Sequence, residues 1–316
     1  MHQADNLAFV FPGQGSQSVG MLAELGSESS IVEETFKEAS DGAKVDLWSI
    51  AQNGPEDILN RTENTQPALL AAGVAVWRVW HERGGATPSL LAGHSLGEYT
   101  ALVCAGVLSL SDAAGLVAER GRLMQSAVPA GVGAMAAVLG GDDNQIAEVC
   151  AEVAGDEVVA PANYNAPGQL VIAGNVAAVD RAIARLAELG VRKTVKLAVS
   201  VPSHCALMRG AADALAKHFE TISWSAPKIQ VIQNAEAKSY GDVESIRGAL
   251  AQQLYKPVRW TESIQQLPAR GITRVAECGP GKVLTGLLKR IERTLEGRAL
   301  GAPEEMAQAL HDWKNA

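Results

Sequence analysis

The segment formed by residues 93–97 (Gly-His-Ser-Leu-Gly) constrains the fold of this chain more than any other feature of its sequence. It follows a short apolar run at 89–92 and precedes a helical pattern that extends to about Gly106. A strand, a tight turn and a helix in this order are typical of α/β folds. The turn matches G-x-S-x-G, in which a strained backbone exposes the serine hydroxyl. We therefore predict a nucleophile at Ser95, rather than an incidental serine in a glycine-rich turn, with the N–H of Leu96 directed at a developing oxyanion.

A different pattern occupies residues 131–199 and divides the chain into two parts. We predict, in order, a strand at 133–139, a helix at 144–154, strands at 158–164 and 169–173, a helix at 176–189 and a strand at 193–199. This β-α-β-β-α-β order is that of the ferredoxin-like unit. The length of 316 residues allows one large domain with an insertion. We therefore predict a ferredoxin-like small subdomain at 131–199, inserted into a larger α/β subdomain formed by 1–130 and 200–316.

The larger subdomain shows a mixture of strand and helix patterns on both sides of the insertion. We predict strands at 7–11, 89–92, 228–232 and 273–277, and helices at 113–124, 206–219, 243–254 and 260–270. The sequence Cys-Gly-Pro-Gly at 278–281 leads into an amphipathic helix, which we expect to be the last element of the chain.

The composition excludes several classes of protein. Lys and Arg total 27 against 35 Asp and Glu, and the net charge of −8 disfavours nucleic-acid binding, which requires clustered cations. The four cysteines are far apart and form no C-x-x-C pair, which predicts neither disulfides nor a metal site. The longest apolar run ends at Arg78 and is shorter than the ~18 residues of a membrane span. Because the first residues also lack the cationic segment of a signal peptide, we expect a cytoplasmic protein that binds neither nucleic acid nor membrane.

A serine nucleophile requires a base, and the chain contains six histidines. Five are weaker candidates, since two lie near the chain ends, two at helix ends, and one in the turn beside the nucleophile: His2, His311, His81, His218 and His94. His204 remains, in a loop at 201–205 where the chain returns to the larger subdomain. The alternative interpretation is a solvated loop histidine. The sequence assigns no acidic third member, so a carboxylate and a carbonyl group both remain open as the partner of this imidazole.

The helix predicted at 113–124 carries an arginine on its apolar face. An S-x-x-D start at Ser109 begins the helix, and Arg120 aligns with apolar residues at spacings of three and four, whereas Arg122 aligns with polar ones. A guanidinium on a buried face is costly unless an anion meets it. A structural carboxylate of the protein and a carboxylate of the substrate are both open as that anion, because either accepts bidentate hydrogen bonds.

The loop after the first predicted strand, residues 12–17 (Pro-Gly-Gln-Gly-Ser-Gln), has the composition of a nucleotide-binding turn. Ser18 stands where G-x-G-x-x-G requires a glycine, and no G-x-x-x-x-G-K-[ST] segment occurs in the chain. We therefore interpret the loop as the source of a second oxyanion donor, the backbone N–H of Gln14.

The chain closely resembles the malonyl-CoA:acyl-carrier-protein transacylases of bacterial type II fatty-acid synthesis over nearly its whole length. The motifs that carry the resemblance are Phe-Pro-Gly-Gln-Gly-Ser-Gln at 11–17, Asn-Thr-Gln-Pro at 64–67, Gly-His-Ser-Leu-Gly-Glu at 93–98, Arg-Gly at 120–121, Asn-Ala-Pro-Gly-Gln at 165–169, Val-Pro-Ser-His-Cys at 201–205, Gln-Leu-Tyr-Lys-Pro-Val at 253–258 and Gly-Pro-Gly-Lys at 279–282. The Gly-His-Ser-x-Gly motif alone is shared with many hydrolases, whereas the ordered set is specific.

The resemblance implies a ping-pong transfer of malonyl groups from malonyl-CoA to the phosphopantetheine thiol of acyl carrier protein, which feeds fatty-acid elongation. Ser95 would be the acylated nucleophile, and His204 the general base and later the general acid. The N–H groups of Gln14 and Leu96 would form the oxyanion hole, and Arg120 would bind the free malonyl carboxylate. No cofactor is implied, and we expect a monomer.

The resemblance also implies the remaining site residues and the fold. A backbone carbonyl in the segment that matches Gln253 would steady His204, and we group Gln253 with the substrate-binding residues. Gln66, Met124 and Asn165 match positions that line the pocket. The family fold is an α/β-hydrolase-like large subdomain with a ferredoxin-like small subdomain. The acidic carrier would dock on basic residues, for which the sequence offers Lys193, Lys196, Arg209 and Lys289.

Three alternatives remain open from the sequence. A serine thioesterase or hydrolase shares the elbow and differs in passing the acyl group to water. A malonyl transferase of malonate decarboxylation or polyketide assembly shares the chemistry and differs in its carrier. A carrier-binding module without catalysis is disfavoured, because Ser95, His204 and Arg120 are all present.

Overall fold

The computed structural model describes residues 3–191, 193–199 and 201–313. Strands and helices alternate along most of the chain, and three short 3₁₀ turns occur at Ala206–Met208, Phe219–Thr221 and Pro268–Arg270. In chain order the other elements are β1 (Gln3–Phe11), α1 (Ala23–Glu28), α2 (Ile31–Ala43), α3 (Leu47–Asn53), α4 (Glu56–Leu59), α5 (Thr62–Glu82), β2 (Thr87–Gly93), α6 (Leu96–Cys104), α7 (Leu110–Ser126), β3 (Gly133–Leu139), α8 (Asp143–Val153), β4 (Val159–Ala166), β5 (Gln169–Asn175), α9 (Val176–Glu188), β6 (Lys193–Lys196), α10 (Arg209–His218), β7 (Gln230–Gln233), β8 (Lys238–Ser239), α11 (Val243–Gln253), α12 (Trp260–Gln265), β9 (Arg274–Glu277), α13 (Val283–Ile291), β10 (Glu296–Ala299) and α14 (Pro303–Trp313).

The first sheet has six strands in the order β10-β9-β1-β2-β7-β8, which are parallel except for the edge strand β8. Its central strand β1 is buried from Leu7 to Phe11. Successive side chains of a strand point to opposite faces, and Phe9 therefore packs into one apolar cluster while Val10 packs into another. Helices cover both faces, as a parallel sheet requires. The prediction of a mixed α/β fold is confirmed.

The longest helix, α5, is buried almost along its whole length among the elements around the first sheet and contains the apolar run at 68–77. It packs against α2, α6 and α7. Within the described residues, no helix combines the length and the hydropathy that a membrane-spanning segment needs.

The second sheet has four antiparallel strands in the order β4-β5-β3-β6. All four strands and both helices predicted between 131 and 199 are present, in the β-α-β-β-α-β order. Helices α8 and α9 cover one face of the sheet. On the other face, Met135 and Val171 pack with Cys205, the residue that follows His204. The predicted strand at 193–199 is too long, because β6 ends at Lys196 and is followed by one more backbone bond to β3, from the N–H of Leu197 to the Met135 carbonyl (2.9 Å).

The segment between α11 and α12 is joined to β4 by backbone contacts. Val258 donates its N–H to Ala162 (2.8 Å) and accepts from the N–H of Tyr164 (2.9 Å). The hydroxyl of Thr261 also donates to the Tyr164 carbonyl (3.0 Å). The part of the chain that follows the second sheet is therefore attached to its outer strand.

Two helix predictions and the end of the chain need correction. The helix predicted at 206–219 begins with a 3₁₀ turn and becomes α-helical only at Arg209. The helix predicted at 260–270 ends at Gln265, before a 3₁₀ turn at Pro268. The amphipathic helix α13 is not the last element, since β10 and α14 follow it. Strand β10 gave no apolar signal because it is a short edge strand of sequence Glu-Gly-Arg-Ala.

Candidate active site

The nucleophile turn lies between β2 and α6. Ser95 is the residue before the helix and has φ 51° and ψ −107°, a strained conformation for a residue with a side chain. A Cβ atom on Gly93 would overlap the backbone of Gly97, and one on Gly97 would overlap the carbonyl of Phe11. Glycine is therefore required on both sides of the serine by the close approach of three backbone segments.

Ser95 and His204 are 109 positions apart in the sequence and in contact in the structure. The Oγ of Ser95 lies 2.8 Å from Nε2 of His204. The Nδ1 of His204 lies 2.7 Å from the backbone carbonyl of Gln253. Because a carbonyl only accepts, Nδ1 carries the proton, and Nε2 is left to accept the proton of the Ser95 hydroxyl. Of the two partners left open by the sequence, the imidazole has the carbonyl.

The environment of His204 keeps its imidazole neutral. Burial and, to a smaller extent, the nearby Arg120 cation lower the pKa of His204 to about 3, against the opposing effect of the Gln253 carbonyl. His204 has φ 62°, and its N–H is held by the carbonyl of Leu254 (2.9 Å). The ring is therefore held in its neutral form, and the lone pair of Nε2 faces the serine hydroxyl.

Arg120 is buried (1% exposed) on the inner face of α7, as its spacing predicted. Its Nη1 donates to Oε1 of Gln66 (2.6 Å), and its Nη2 donates to Oε1 of Gln253 (3.0 Å). Nη2 also lies 3.3 Å from Oγ of Ser95. Within the described residues, Nε has no hydrogen-bond partner. The sequence left open whether a carboxylate of the protein binds this guanidinium. In the structure it donates to the amide oxygens of Gln66 and Gln253.

The other side chains around Arg120 are also buried. The Nε2 of Gln66 lies 3.6 Å from Sδ of Met124, one turn after Arg120 on the same helix. The guanidinium carbon lies 5.4 Å from the centre of the Tyr99 ring. Gln66, Met124 and Tyr99 are all buried. The structure therefore brings Gln66, Met124 and Gln253 to Arg120, and their assignment to the substrate pocket stays a prediction.

The two predicted oxyanion donors border the same turn. Leu96 is the first residue of α6, where a backbone N–H has no partner within its helix. The loop that contains Gln14 crosses the turn, since His94 donates its N–H to Phe11 (2.9 Å) and the Cα of Gly13 faces the His94 carbonyl. The side chain of Gln14 points outward, with Nε2 3.4 Å from the hydroxyl of Thr62.

Asn165 occupies a different place from the other pocket residues. Its Oδ1 lies 2.8 Å from Nε2 of His94, whereas Gln66 and Gln253 contact Arg120 directly. This bond and an edge contact with Trp260 hold the His94 ring. Asn165 therefore supports the turn from the side of the second sheet.

The remaining histidines of the described residues play no part in this arrangement. The ring of His81 bonds to the Trp77 carbonyl inside α5, and His218 closes α10 beside Glu119. His311 lies in the exposed last turn of α14. His2, which the sequence analysis also considered, lies outside the described residues.

Two residues that hold the site were not identified from the sequence. Asn234 follows β7; its Oδ1 accepts from the N–H of Ser95 (2.7 Å), and its Nδ2 donates to the carbonyl of Gly93 (2.7 Å). Glu98 lies inside α6 and accepts from the backbone N–H of Asn234 (2.9 Å). The available signals were an asparagine just after a short buried strand and a carboxylate on a helix that is otherwise apolar.

The described residues contain no group of three or more His, Cys, Asp or Glu side chains that could hold a metal ion. What the site does contain is a serine hydroxyl, a neutral imidazole and a buried guanidinium within hydrogen-bond reach of one another. Such an arrangement is suited to covalent acyl transfer to a serine, next to a position that favours an anion.

Comparison with known proteins places the chain in a family. The acyl transferase domain family matches residues 8–310. A malonyl CoA-acyl carrier protein transacylase of Salmonella typhimurium is 55% identical over 303 residues, which cover 96% of this chain and 98% of that protein. The chain belongs to the family of malonyl CoA-acyl carrier protein transacylases. The resemblance inferred from the ordered motifs is thereby confirmed.

Solved structures of the family agree with this fold over almost the whole chain. The malonyl-CoA:acyl carrier protein transacylase of Xanthomonas oryzae is 63% identical, with a TM-score of 0.97 and coverage of 98% of this chain and 99% of that chain. A malonyl-transacylase solved in complex with a type II PKS acyl-carrier protein is 52% identical, with a TM-score of 0.95 and coverage of 97% and 99%.

Proposed function

We propose that the chain transfers malonyl groups from malonyl-CoA to the phosphopantetheine thiol of acyl carrier protein. The observation that carries this proposal is the buried Arg120, whose Nη2 lies 3.3 Å from the Ser95 hydroxyl and whose described partners are uncharged. In a malonyl group one methylene separates the reacting carbonyl from the carboxylate. When the reacting carbonyl is at Ser95, the malonyl carboxylate is one methylene away and therefore falls within reach of the guanidinium.

The first half-reaction forms an ester on Ser95. Nε2 of His204 takes the hydroxyl proton as Oγ attacks the thioester carbonyl, and the N–H groups of Gln14 and Leu96 stabilise the oxyanion. When the tetrahedral intermediate collapses, the carbon–sulfur bond breaks and the imidazolium gives its proton to the leaving coenzyme A thiolate. The products are malonyl-Ser95 and free coenzyme A, with His204 again neutral.

The second half-reaction runs through the same groups in reverse. The phosphopantetheine thiol loses its proton to His204 as its sulfur attacks the ester carbonyl of malonyl-Ser95. Collapse breaks the bond to Oγ, and the imidazolium returns the proton to the serine. Because each half-reaction needs only the same base and the same two donors, the scheme has no step that requires a cofactor.

The fold also supports the finer description of the two subdomains that belongs to this proposal. The parallel sheet with Ser95 directly after β2 has the strand-turn-helix arrangement of α/β hydrolases, and the second sheet has the strand order of ferredoxin-like folds. We assign 131–199 to the small subdomain and 1–130 with 200–316 to the large one. The relative solved with an acyl-carrier protein supports the same kind of partner for this chain.

An assay of acyl donors tests the proposal. Malonyl-CoA and acetyl-CoA are each supplied with holo-carrier, with apo-carrier, which lacks the thiol, or with no carrier. We expect steady transfer from malonyl-CoA to holo-carrier, and release of one equivalent of coenzyme A per chain in its absence. Continuous release of malonate without holo-carrier would contradict the proposal and identify a thioesterase. Equal transfer of acetyl and malonyl groups would contradict the role of Arg120.

A further inference from the structure

Glu98 is a buried carboxylate that the reaction scheme leaves unused. It lies in the first turn of α6, three residues after the nucleophile, and is 0% exposed. Its Oε2 accepts from the backbone N–H of Asn234 (2.9 Å) and from Nε2 of Gln253 (2.9 Å). Its Oε1 has no hydrogen-bond partner within the described residues. Stability alone does not account for such a group, because desolvation of a carboxylate is costly.

The contact with Gln253 determines which way its amide faces. The two hydrogens of Nε2 go to Glu98 and to the backbone carbonyl of Ser95 (2.9 Å), so Oε1 is left to accept from Arg120. The ends of an amide have nearly the same shape and opposite hydrogen-bonding character. Because Oε2 of Glu98 accepts from Gln253, the flipped amide would set its own oxygen against this oxygen and an NH₂ group against the guanidinium, so the contact favours the observed orientation.

The contact with Asn234 reaches the nucleophile by a second route. Glu98 holds the backbone N–H of Asn234, and the side chain of Asn234 holds the N–H of Ser95 and the carbonyl of Gly93. One carboxylate oxygen thus connects the end of β7, the nucleophile turn and the residue whose carbonyl orients His204. Asn234 and Gln253 lie 136 and 155 positions from Glu98 in the sequence.

We propose that Glu98 is a positioning residue of the transfer reaction, acting mainly through Gln253 on Arg120. It touches no reacting atom in the scheme above, and its effect is to keep the Gln253 oxygen on the guanidinium that binds the malonyl carboxylate. The inference rests on the proposed function, since it concerns the binding of that carboxylate.

Two substitutions separate the features of the carboxylate. Glu98→Gln keeps an oxygen that can accept from both donors and removes the charge. Glu98→Met has a similar length and removes the acceptor. The matched control is Glu277→Gln, because Glu277 is equally buried and accepts from Leu284 and Thr285 at the start of α13. Malonyl transfer is measured for each variant, with malonyl-Ser95 counted by intact mass to correct for misfolded chains.

A role in positioning predicts a specific kinetic pattern. Glu98→Met is expected to lower kcat/KM for malonyl-CoA roughly tenfold or more, mainly through a higher KM, because Arg120 loses a fixed partner. Glu98→Gln should retain most of the activity by keeping an acceptor, and Glu277→Gln should match the wild type. Glu98→Met could instead lower only the fraction of chains that form malonyl-Ser95, with normal KM and kcat for each chain that does. That result would overturn the proposal.

A double substitution tests the route through Gln253. In a Gln253→Met background the Arg120 contact is already absent, so adding Glu98→Met should change kcat/KM by less than about twofold. An undiminished loss in that background would show that Glu98 does not act through Gln253. The proposed function fails in a different experiment, namely if the wild-type chain itself forms no malonyl-Ser95.

Discussion

At the residue scale, the central feature is a histidine whose proton is assigned by its neighbours. The Gln253 carbonyl fixes the tautomer of His204, and burial together with the Arg120 cation keeps the ring uncharged. A depressed pKa makes an imidazole a weaker base, but it also ensures that the whole population of chains is ready to accept the serine proton.

This environment predicts an unusual pH dependence for Ser95. The pKa of His204 is about 3 instead of 6.5, so the neutral base is lost only as the pH falls toward 3. The rate at which phenylmethylsulfonyl fluoride modifies Ser95 should therefore show no imidazole-linked decline above about pH 5. This neutral reagent avoids the ionisation of malonyl-CoA. Burial raises the pKa of the Glu98 carboxyl in this site to about 7, so the profile is repeated with Glu98→Gln. A decline centred near pH 6.5 that persists in Glu98→Gln would contradict the assigned environment of His204.

Arg120 gives a prediction about selectivity. Arg120→Ala is expected to reduce kcat/KM for malonyl-CoA by roughly 10²-fold or more, because truncation removes the buried partner of a carboxylate. Transfer from acetyl-CoA, which has no carboxylate, should change far less. Arg122→Ala on the same helix is the control, since Arg122 is 55% exposed and pairs with Glu119. Equal losses for both donors would make Arg120 a structural residue.

The sequence contained enough information for these three residues and too little for their supports. Ser95, His204 and Arg120 each stood out through a local pattern: a turn motif, a loop histidine and a cation on an apolar face. Asn234 and Glu98 act through contacts between residues more than 130 positions apart, and such pairs leave no local pattern. The carbonyl of Gln253 was expected only from the resemblance, because every residue has a carbonyl.

At the element scale, the site depends on how closely β1, β2 and α6 approach one another. Gly93 and Gly97 let the turn pass under the Phe11 carbonyl without a side chain between them. Predictions were good for the elements that have a strong local sequence pattern. The S-x-x-D start of α7 is confirmed, since the Ser109 hydroxyl accepts from the N–H of Asp112 (3.0 Å). Charged β10 and the short helices α1, α3 and α4 lacked such a pattern and were missed. The longer helix α2 was also missed, although its buried residues follow a helical spacing.

Substitution of the turn glycines tests this packing. Gly93→Ala and Gly97→Ala are each expected to destabilise the chain by roughly 1–3 kcal/mol or more, because a methyl group cannot fit against backbone. Gly248→Ala is the matched control, since it lies inside α11 with open space at the Cβ position, and alanine there should stabilise the helix by about 0.5–1 kcal/mol. Urea unfolding gives these differences. Unchanged stability in the two turn variants would contradict the described backbone approach.

At the scale of the whole molecule, strand order explains why distant residues meet. Strands β1, β2 and β7 are neighbours and parallel, so the segments after them emerge at one edge of the sheet. These segments contain Gln14, Ser95 and Asn234. Ligands of open parallel sheets bind at this edge. The sequence predicted the strands but not their order, and it therefore could not place these residues together.

The second sheet returns the chain to the first just before His204. Its outer strand is attached to Val258, and Asn165 at its end holds His94 beside the nucleophile. Of the four basic residues considered for carrier docking, Lys196 pairs with Asp180 and Arg209 lies over the ring of Tyr255 at 4.4 Å. Their role in docking stays a prediction.

The most direct test of the account is the mass of the intact chain after brief mixing with malonyl-CoA. We predict one added malonyl group on the wild-type chain, none on Ser95→Ala, and loss of the group from the wild type when holo-carrier is then added. An adduct that persists in Ser95→Ala, or one that holo-carrier does not remove, would contradict transfer through a malonyl ester of Ser95.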